Sequence, residues 1–97
     1  MTTLVITGGK VLTPLEVRFT NVWLSGGMVE ALSDRVPDGN CEHLDASGCL
    51  VTPGLFDLQV NGGPTCNLWD GPSPESVHDL RQQLAMSGVT SCAAWHR

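Results

Sequence analysis

The chain has 97 residues, 41% of them hydrophobic and 15% charged, a balance typical of a folded protein rather than a disordered one. Its formal net charge is −5, with five Lys and Arg residues, which argues against a nucleic-acid partner because such proteins need a basic face. No segment approaches the roughly 20 apolar residues of a membrane helix, and the N-terminus lacks signal-peptide features. We therefore expect a soluble, cytoplasmic protein without a membrane partner.

The first part of the chain, residues 1–52, is predicted to be a β-rich, sandwich-like segment, either a small antiparallel sheet or half of a sandwich. β-rich runs separated by turn residues occur at 4–6, 10–13, 17–24, 28–32 and 49–52. Gly26-Gly27 predicts a tight hairpin between the third and fourth runs. This part carries no obvious catalytic cluster. His43 and Asp45 alternate on a further predicted strand, and a solvated face explains them better than a metal pair does.

The cysteines do not form a recognisable metal or disulfide pattern. None of the four, Cys41, Cys49, Cys66 and Cys92, is part of a Cys-x-x-Cys pair, which a zinc knuckle or ribbon would contain. Because the sequence also lacks a secretion signal, a disulfide framework is not expected. We expect ordinary reduced thiols, several of them buried as small hydrophobic groups.

The segment 53–63, Pro-Gly-Leu-Phe-Asp-Leu-Gln-Val-Asn-Gly-Gly, carries most of the functional signal. Side chains alternate along a strand, so Asp57, Gln59 and Asn61 share one face. A polar face that ends at Gly62-Gly63 is typical of a strand that opens into an active-site loop. For Asp57 we favour a structural role, pairing with backbone donors. Both glycines serve loop conformation in the first place, although such a loop could also admit a substrate.

A loop, a helix and a second strand are predicted to follow. Ser73 is a suitable N-cap, Pro74 suits the first helical position, and Gly88 is a typical helix stop. The apolar positions of the helix form one stripe: Val77, Leu80 and Leu84. The polar positions form the other side: Asp79, Arg81, Gln82 and Gln83. With a strand over 89–95, residues 53–97 predict a right-handed β-α-β unit.

Three aromatic and imidazole side chains in this part receive structural interpretations. Trp69 and Trp95 are predicted to be packing residues, and His78 is predicted to be solvated because it lies off the apolar stripe. No role is assigned to His96. One β-α-β unit leaves an open sheet edge, and a closed eightfold barrel takes roughly 250 residues. We therefore expect the chain to be a truncated copy or a fragment of a larger protein.

The run Thr-Pro-Gly-Leu-Phe-Asp-Leu-Gln-Val-Asn-Gly-Gly resembles the opening of the amidohydrolase superfamily. Most members have Pro-Gly-x-Ile-Asp-x-His-x-His there, in strand one of a metal-dependent (β/α)8 barrel that follows a β-sandwich. Gln59 and Asn61 occupy the two histidine positions, and with Gly62-Gly63 this is similar to the N-acetylglucosamine-6-phosphate deacetylase family. The implied fold class is α/β: a small β-sandwich portion followed by the first β-α-β of the barrel, truncated.

The resemblance implies a reaction and a metal for the full-length family. A divalent metal, Zn or similar, would be held by one Glu and two His of later strands, with Gln59 and Asn61 near the metal or its water. It would activate water, a later Asp would move the proton, and the products would be glucosamine 6-phosphate and acetate. Amide oxygens are weaker ligands than imidazoles. We expect no catalytic residue within this chain, no metal bound by it and no activity from it alone.

The resemblance also implies a phosphosugar substrate and a homo-oligomeric assembly for the full-length family. Two alternatives stay open. One is another amidohydrolase of the dihydroorotase or hydantoinase type, against which the Gln59 and Asn61 substitutions count. The other is a non-enzymatic remnant. We further expect Gln59 and Asn61 to face a cleft; side chains turned outward to solvent, or buried with no cleft beside them, would overturn the deacetylase interpretation.

Overall fold

The structure is a computed structural model that describes residues 2–94, and the chain forms two compact units that divide between Pro53 and Gly54. The boundary predicted from the sequence lies one residue earlier. The predictions for Trp95 and His96 lie outside the described residues. None of the helices in the described part of the chain is long and apolar enough to cross a membrane.

Short strands build the first unit. They are β1 (Leu4–Thr7), β2 (Lys10–Leu12), β3 (Val17–Phe19), β4 (Asn21–Ser25), β5 (Met28–Ser33), β6 (Glu42–Asp45) and β7 (Leu50–Val51). The single strand predicted over 17–24 is two strands, β3 and β4, which belong to different sheets. The predicted hairpin is confirmed, since β4 and β5 pair antiparallel and Gly26 and Gly27 have φ of 59° and 76°.

The strands of the first unit form two mixed sheets. One has the order β5-β4-β1-β6 and the other β3-β2-β7. β6 runs parallel to β1 and β7 runs parallel to β2, so the alternative of a small antiparallel sheet is wrong. The prediction paired consecutive strands, whereas β6 and β7 return after connections long enough to permit parallel pairing.

A small set of apolar side chains forms the core of the first unit. Val5 is completely buried, and Val11, Val22 and Trp23 are also buried. The indole N–H of Trp23 donates to the Ser33 carbonyl at 3.3 Å, so burial leaves its polar group satisfied.

The second unit contains the predicted β-α-β arrangement. Its elements are β8 (Leu55–Val60), β9 (Gly62–Gly63), β10 (Cys66–Asn67), α1 (Pro74–Met86) and β11 (Val89–Ala94). β8 and β11 pair in parallel and α1 connects them along the chain. The short β9–β10 hairpin was not predicted, because a glycine- and proline-rich segment resembles an irregular loop in sequence. The fold class implied by the resemblance is confirmed.

Local sequence signals explain where α1 begins and ends. The Ser73 hydroxyl accepts from the Ser76 N–H at 3.2 Å, and Pro74 occupies the first turn, as predicted. Gly88 follows the helix with φ of 82°, a conformation typical of a C′ glycine. The apolar stripe is confirmed: Leu80 is buried with Val60 and Cys66, and the flanking Val77 and Leu84 pack against them.

The thiols are free, and Cys66 alone is buried. Cys41 is half-buried, while Cys49 and Cys92 are exposed. The expectation of reduced thiols agrees with this, but the expectation that several are buried is wrong. Short, isolated strands in small sheets cover few of their side chains, so a β-rich sequence context did not guarantee burial.

Candidate functional site at the end of β8

The C-terminal end of β8 carries the candidate residues Gln59 and Asn61. Val60 between them is 4% exposed and packs against Leu80 of α1, whereas both amide side chains are exposed. Regular alternation from Val60 would put the two amides on the face opposite the helix. This is the face that a (β/α)8 barrel turns toward its interior.

Asp57 organises the backbone that carries Gln59. The ladder between β8 and β11 shifts register between Asp57 and Val60, which marks an irregularity in the strand. At this point the Asp57 carboxylate accepts the backbone N–H of Gln59 at 3.1 Å. This contact agrees with the structural role favoured for Asp57, since the carboxylate satisfies a donor in the irregular stretch.

Gly62 and Gly63 have backbone and packing constraints that exclude a side chain. Gly62 has φ of 149°, and a Cβ there would overlap the carbonyl oxygen of Cys66. A Cβ on Gly63 would lie 2.9 Å from Leu80 Cδ1 and 3.0 Å from Gln83 Oε1. Both glycines therefore shape the β9–β10 hairpin, and their role near a substrate stays a prediction.

The loop after the hairpin is held by Asn67. Its Nδ2 donates to Asp70 Oδ2 at 2.9 Å, and its Oδ1 accepts the Trp69 N–H at 3.0 Å. Trp69 was predicted to be a packing residue, but 47% of it is exposed. Asn67 received no role from the sequence, although Asn followed by Asp three residues later is a usual loop-closing pattern.

Gln83 joins α1 to the segment that follows β8. Its Nε2 donates to Thr65 Oγ1 at 3.2 Å, and its Oε1 is buried with no hydrogen-bond partner among the described residues. The sequence placed Gln83 on the solvated side of the helix, which is wrong because the hairpin covers that position. A long-range contact of this kind leaves no signal in helical periodicity.

His43 and Asp45 do not form a metal pair. Both are exposed on β6; Asp45 accepts from Ser47, and the His43 ring instead lies beside Cys41. His78 is exposed, as predicted. Hydrogen bonds from Ser47, first its hydroxyl and then its N–H, lower the pKa of Asp45 below its ordinary value.

The residues present do not make a metal site for amidohydrolase chemistry. Within residues 2–94 no group of three or more His, Cys, Asp or Glu side chains is placed to hold a metal ion. Gln59 and Asn61 offer two neutral amide oxygens, a weak donor set for a zinc-like ion. Any such ion needs ligands beyond those that this part of the chain provides.

The described residues do not form the expected cleft beside Gln59 and Asn61. Both side chains are open to solvent. The physical reason is that a barrel interior closes only when eight strands surround it, and the second unit contributes the parallel pair β8 and β11.

Two kinds of comparison relate the chain to known proteins, while no family model matches it. It is 42% identical over 66 residues to the 5-methylthioadenosine/S-adenosylhomocysteine deaminase of Natronomonas pharaonis, covering 67% of this chain and 15% of that protein. It is 33% identical over 96 residues to the dihydroorotase of Ruminiclostridium cellulolyticum, covering 93% of this chain and 21% of that protein.

Solved structures share the fold. The N-acetylglucosamine-6-phosphate deacetylase of Pasteurella multocida superimposes with a TM-score of 0.84 at 22% identity, over 95% of this chain and 25% of that one. A D-hydantoinase superimposes with a TM-score of 0.77 at 20% identity, over 96% of this chain and 20% of that one.

The chain thus spans a quarter or less of the length of these relatives and structural neighbours. They are hydrolases of one superfamily, and the matched structures contain (β/α)8 barrels that begin with a β-rich part. The sequence relatives and structural neighbours to which this chain is similar are thus proteins of the amidohydrolase superfamily.

Proposed function

We propose that this chain is the N-terminal part of a hydrolase of the N-acetylglucosamine-6-phosphate deacetylase type. In this proposal Gln59 and Asn61 line the active site of the complete barrel, close to a divalent metal or its bound water. The reaction is hydrolysis of the N-acetyl group of a phosphosugar. The metal, Zn or similar, supplies the activated water when bound, and its ligands come from strands beyond β11.

The observation that carries the proposal is the exposure of two amides at the carboxyl end of β8 and directly after it. Gln59 and Asn61 are exposed there, on either side of the buried Val60. Other superfamily members are expected to have imidazoles at these positions, which hold one of two metals. Amide oxygens would hold a metal at that position more weakly than imidazoles, which favours a site with a single metal. The fold similarity to the deacetylase supports the same proposal.

A second candidate is a hydrolase of the dihydroorotase or hydantoinase type. It is supported by the 33% identity to a dihydroorotase over 96 residues and by the fold similarity to a D-hydantoinase. The two candidates differ at Gln59 and Asn61, because a binuclear site would require strong ligands at these positions.

A segment exchange tests the proposal. Residues 2–94 would replace the structurally equivalent segment of the Pasteurella multocida deacetylase, and turnover of N-acetylglucosamine 6-phosphate and of dihydroorotate would be measured with added Zn²⁺. We expect deacetylation by the chimera and none by the isolated 97-residue chain. Deacetylation by the isolated chain, or a folded chimera that hydrolyses dihydroorotate but not the phosphosugar, would contradict the proposal.

Variants of the chimera test the two amides directly. Gln59→Ala and Asn61→Ala are each expected to lower kcat/KM at least about tenfold, since groups that orient metal ligands typically affect activity by 10–100-fold. Gln82→Ala is the matched control, because Gln82 is an exposed amide on α1. Equal decreases of kcat/KM in all three variants would show that Gln59 and Asn61 have no special role.

A further inference from the structure

Cys41 and His43 bring a thiol and an imidazole together at the edge of a sheet. Cys41 immediately precedes β6, and His43 lies two residues later on this edge strand. Residues two apart in an extended chain project to the same side. The Cys41 Sγ and the His43 Nε2 are 3.6 Å apart. The sequence analysis considered His43 with Asp45 and missed its neighbour on the other side.

A third donor atom lies next to this pair. The backbone carbonyl oxygen of Asp38 is 3.2 Å from Cys41 Sγ and 3.4 Å from His43 Nε2. The turn that positions this carbonyl is closed locally, because the Asp38 carboxylate accepts the Asn40 N–H at 2.9 Å. Sulfur, nitrogen and oxygen therefore form a triangle on the surface of the first unit.

The dimensions of the triangle match one face of a tetrahedral zinc site. With Zn–S near 2.3 Å and Zn–N and Zn–O near 2.0–2.1 Å, tetrahedral angles require separations of about 3.6 Å between S and N, and about 3.4 Å between N and O. The observed values are 3.6 and 3.4 Å. The S to O distance of 3.2 Å is shorter than the required value of about 3.6 Å, so Cys41 Sγ has to move away from the Asp38 carbonyl when an ion binds.

We propose that Cys41 and His43, with the Asp38 carbonyl, bind a thiophilic divalent cation of the Zn²⁺ class. Thiolate and imidazole are the ligands that such ions prefer, and the fourth position faces solvent and takes water. Cys41 is half-buried and His43 is exposed, so an ion reaches both donors without rearrangement of the core. The site uses no residue of the second unit and does not depend on the function proposed above.

Binding has a defined proton balance. The Cys41 thiol donates its hydrogen to the Asp38 carbonyl in the metal-free chain. Metal binding replaces this proton, which leaves to solvent, and the carbonyl oxygen exchanges a hydrogen bond for a metal contact. One proton is therefore released from the thiol for each ion bound.

Metal titration of the full chain under reducing conditions tests the site. Zn²⁺ binding would be measured by calorimetry and Co²⁺ binding by absorption, which reports thiolate ligation through a charge-transfer band. We expect one ion per chain with the thiolate band. Both Cys41→Ser and His43→Ala are expected to weaken binding at least about tenfold, as even indirect supporting groups change metal affinity by 10–100-fold.

Cys49→Ser is the matched control, since Cys49 is an exposed thiol in the same unit. It should leave the affinity and the thiolate band unchanged. Circular dichroism of every variant checks that the fold is retained, and Zn²⁺ should raise the unfolding temperature of the unmodified chain but not of Cys41→Ser. Absence of Zn²⁺ binding by the unmodified chain, or equal loss of binding in Cys49→Ser, would overturn the proposal.

Discussion

Asp45 illustrates at the residue scale how a surface carboxylate shapes a turn. Its Oδ1 accepts the Ser47 hydroxyl at 2.6 Å and the Ser47 N–H at 2.8 Å. Hydrogen bonds to the ionised form favour it, so the pKa of Asp45 is lowered. The two hydrogen bonds fix the backbone where it leaves β6. The Asp45 carboxylate therefore accepts from groups of the same turn.

Ser47→Ala is expected to raise the pKa of Asp45 toward its ordinary value, because the substitution removes the larger of the two effects. The pKa of Asp45 is lower in the folded protein than in the unfolded chain, so the ionised carboxylate stabilises the fold at pH values above the unfolded pKa. This stabilisation is lost as the pH falls through the folded pKa. The relevant window lies in acid, below about pH 4. An NMR titration of the carboxyl group measures this shift. Ser91→Ala, which changes an exposed serine of the other unit, should leave the pKa unchanged.

The candidate site was accessible to sequence reasoning only in part. The shared face of Gln59 and Asn61 stays a prediction from alternation, whereas the hydrogen bond from the Gln59 N–H to the Asp57 carboxylate agrees with the role expected of Asp57. The contact of Gln83 could not be predicted, because its partner Thr65 lies 18 residues away in the hairpin that follows β8. Asn67 has local partners, Trp69 and Asp70, and was overlooked. Periodicity reports which face of an element is apolar, not what covers its other faces.

At the scale of elements, α1 is the part in which local signals and packing agree. The Ser73 cap, the first-turn Pro74 and the stop at Gly88 determine its ends. Its one buried side chain is Leu80, which packs with Val60 of β8 and Cys66 of β10. The helix therefore connects the strand that carries the candidate amides to the hairpin that follows it.

Leu80→Ala is expected to destabilise the second unit by about 2–5 kcal/mol, the usual cost of removing a buried leucine side chain. Denaturant unfolding followed by circular dichroism measures the change in the free energy of unfolding. Met86→Ala is the control, since Met86 lies on the same helix and is 89% exposed. Equal effects of the two substitutions would show that the cluster around Leu80 contributes no stability.

At the scale of the whole molecule, the chain leaves much apolar surface uncovered. Phe56 and Leu58 of β8 are 58% and 77% exposed, and β8 is an edge of a two-stranded sheet in the described structure. Exposed apolar side chains beside an unpaired strand edge promote association with other chains. In a complete barrel both strand edges would be paired.

The isolated chain is therefore expected to self-associate as its concentration rises, which light scattering coupled to size-exclusion chromatography measures. The double variant Phe56→Ser/Leu58→Ser should shift the population toward monomer. Leu15→Ser is the control, since Leu15 is 94% exposed but lies between β2 and β3 rather than on a strand edge. A monomeric unmodified chain at all concentrations would contradict this expectation.

The sequence by itself determined the local elements and the family resemblance, because caps, turn glycines and alternation act within a few residues. Tertiary structure decided what depends on distant partners: the parallel pairing of β6 with β1 and of β7 with β2, and the contact of Gln83 with Thr65. The physical reason is that pairing partners and covered faces are set by long-range packing, which local sequence patterns do not encode.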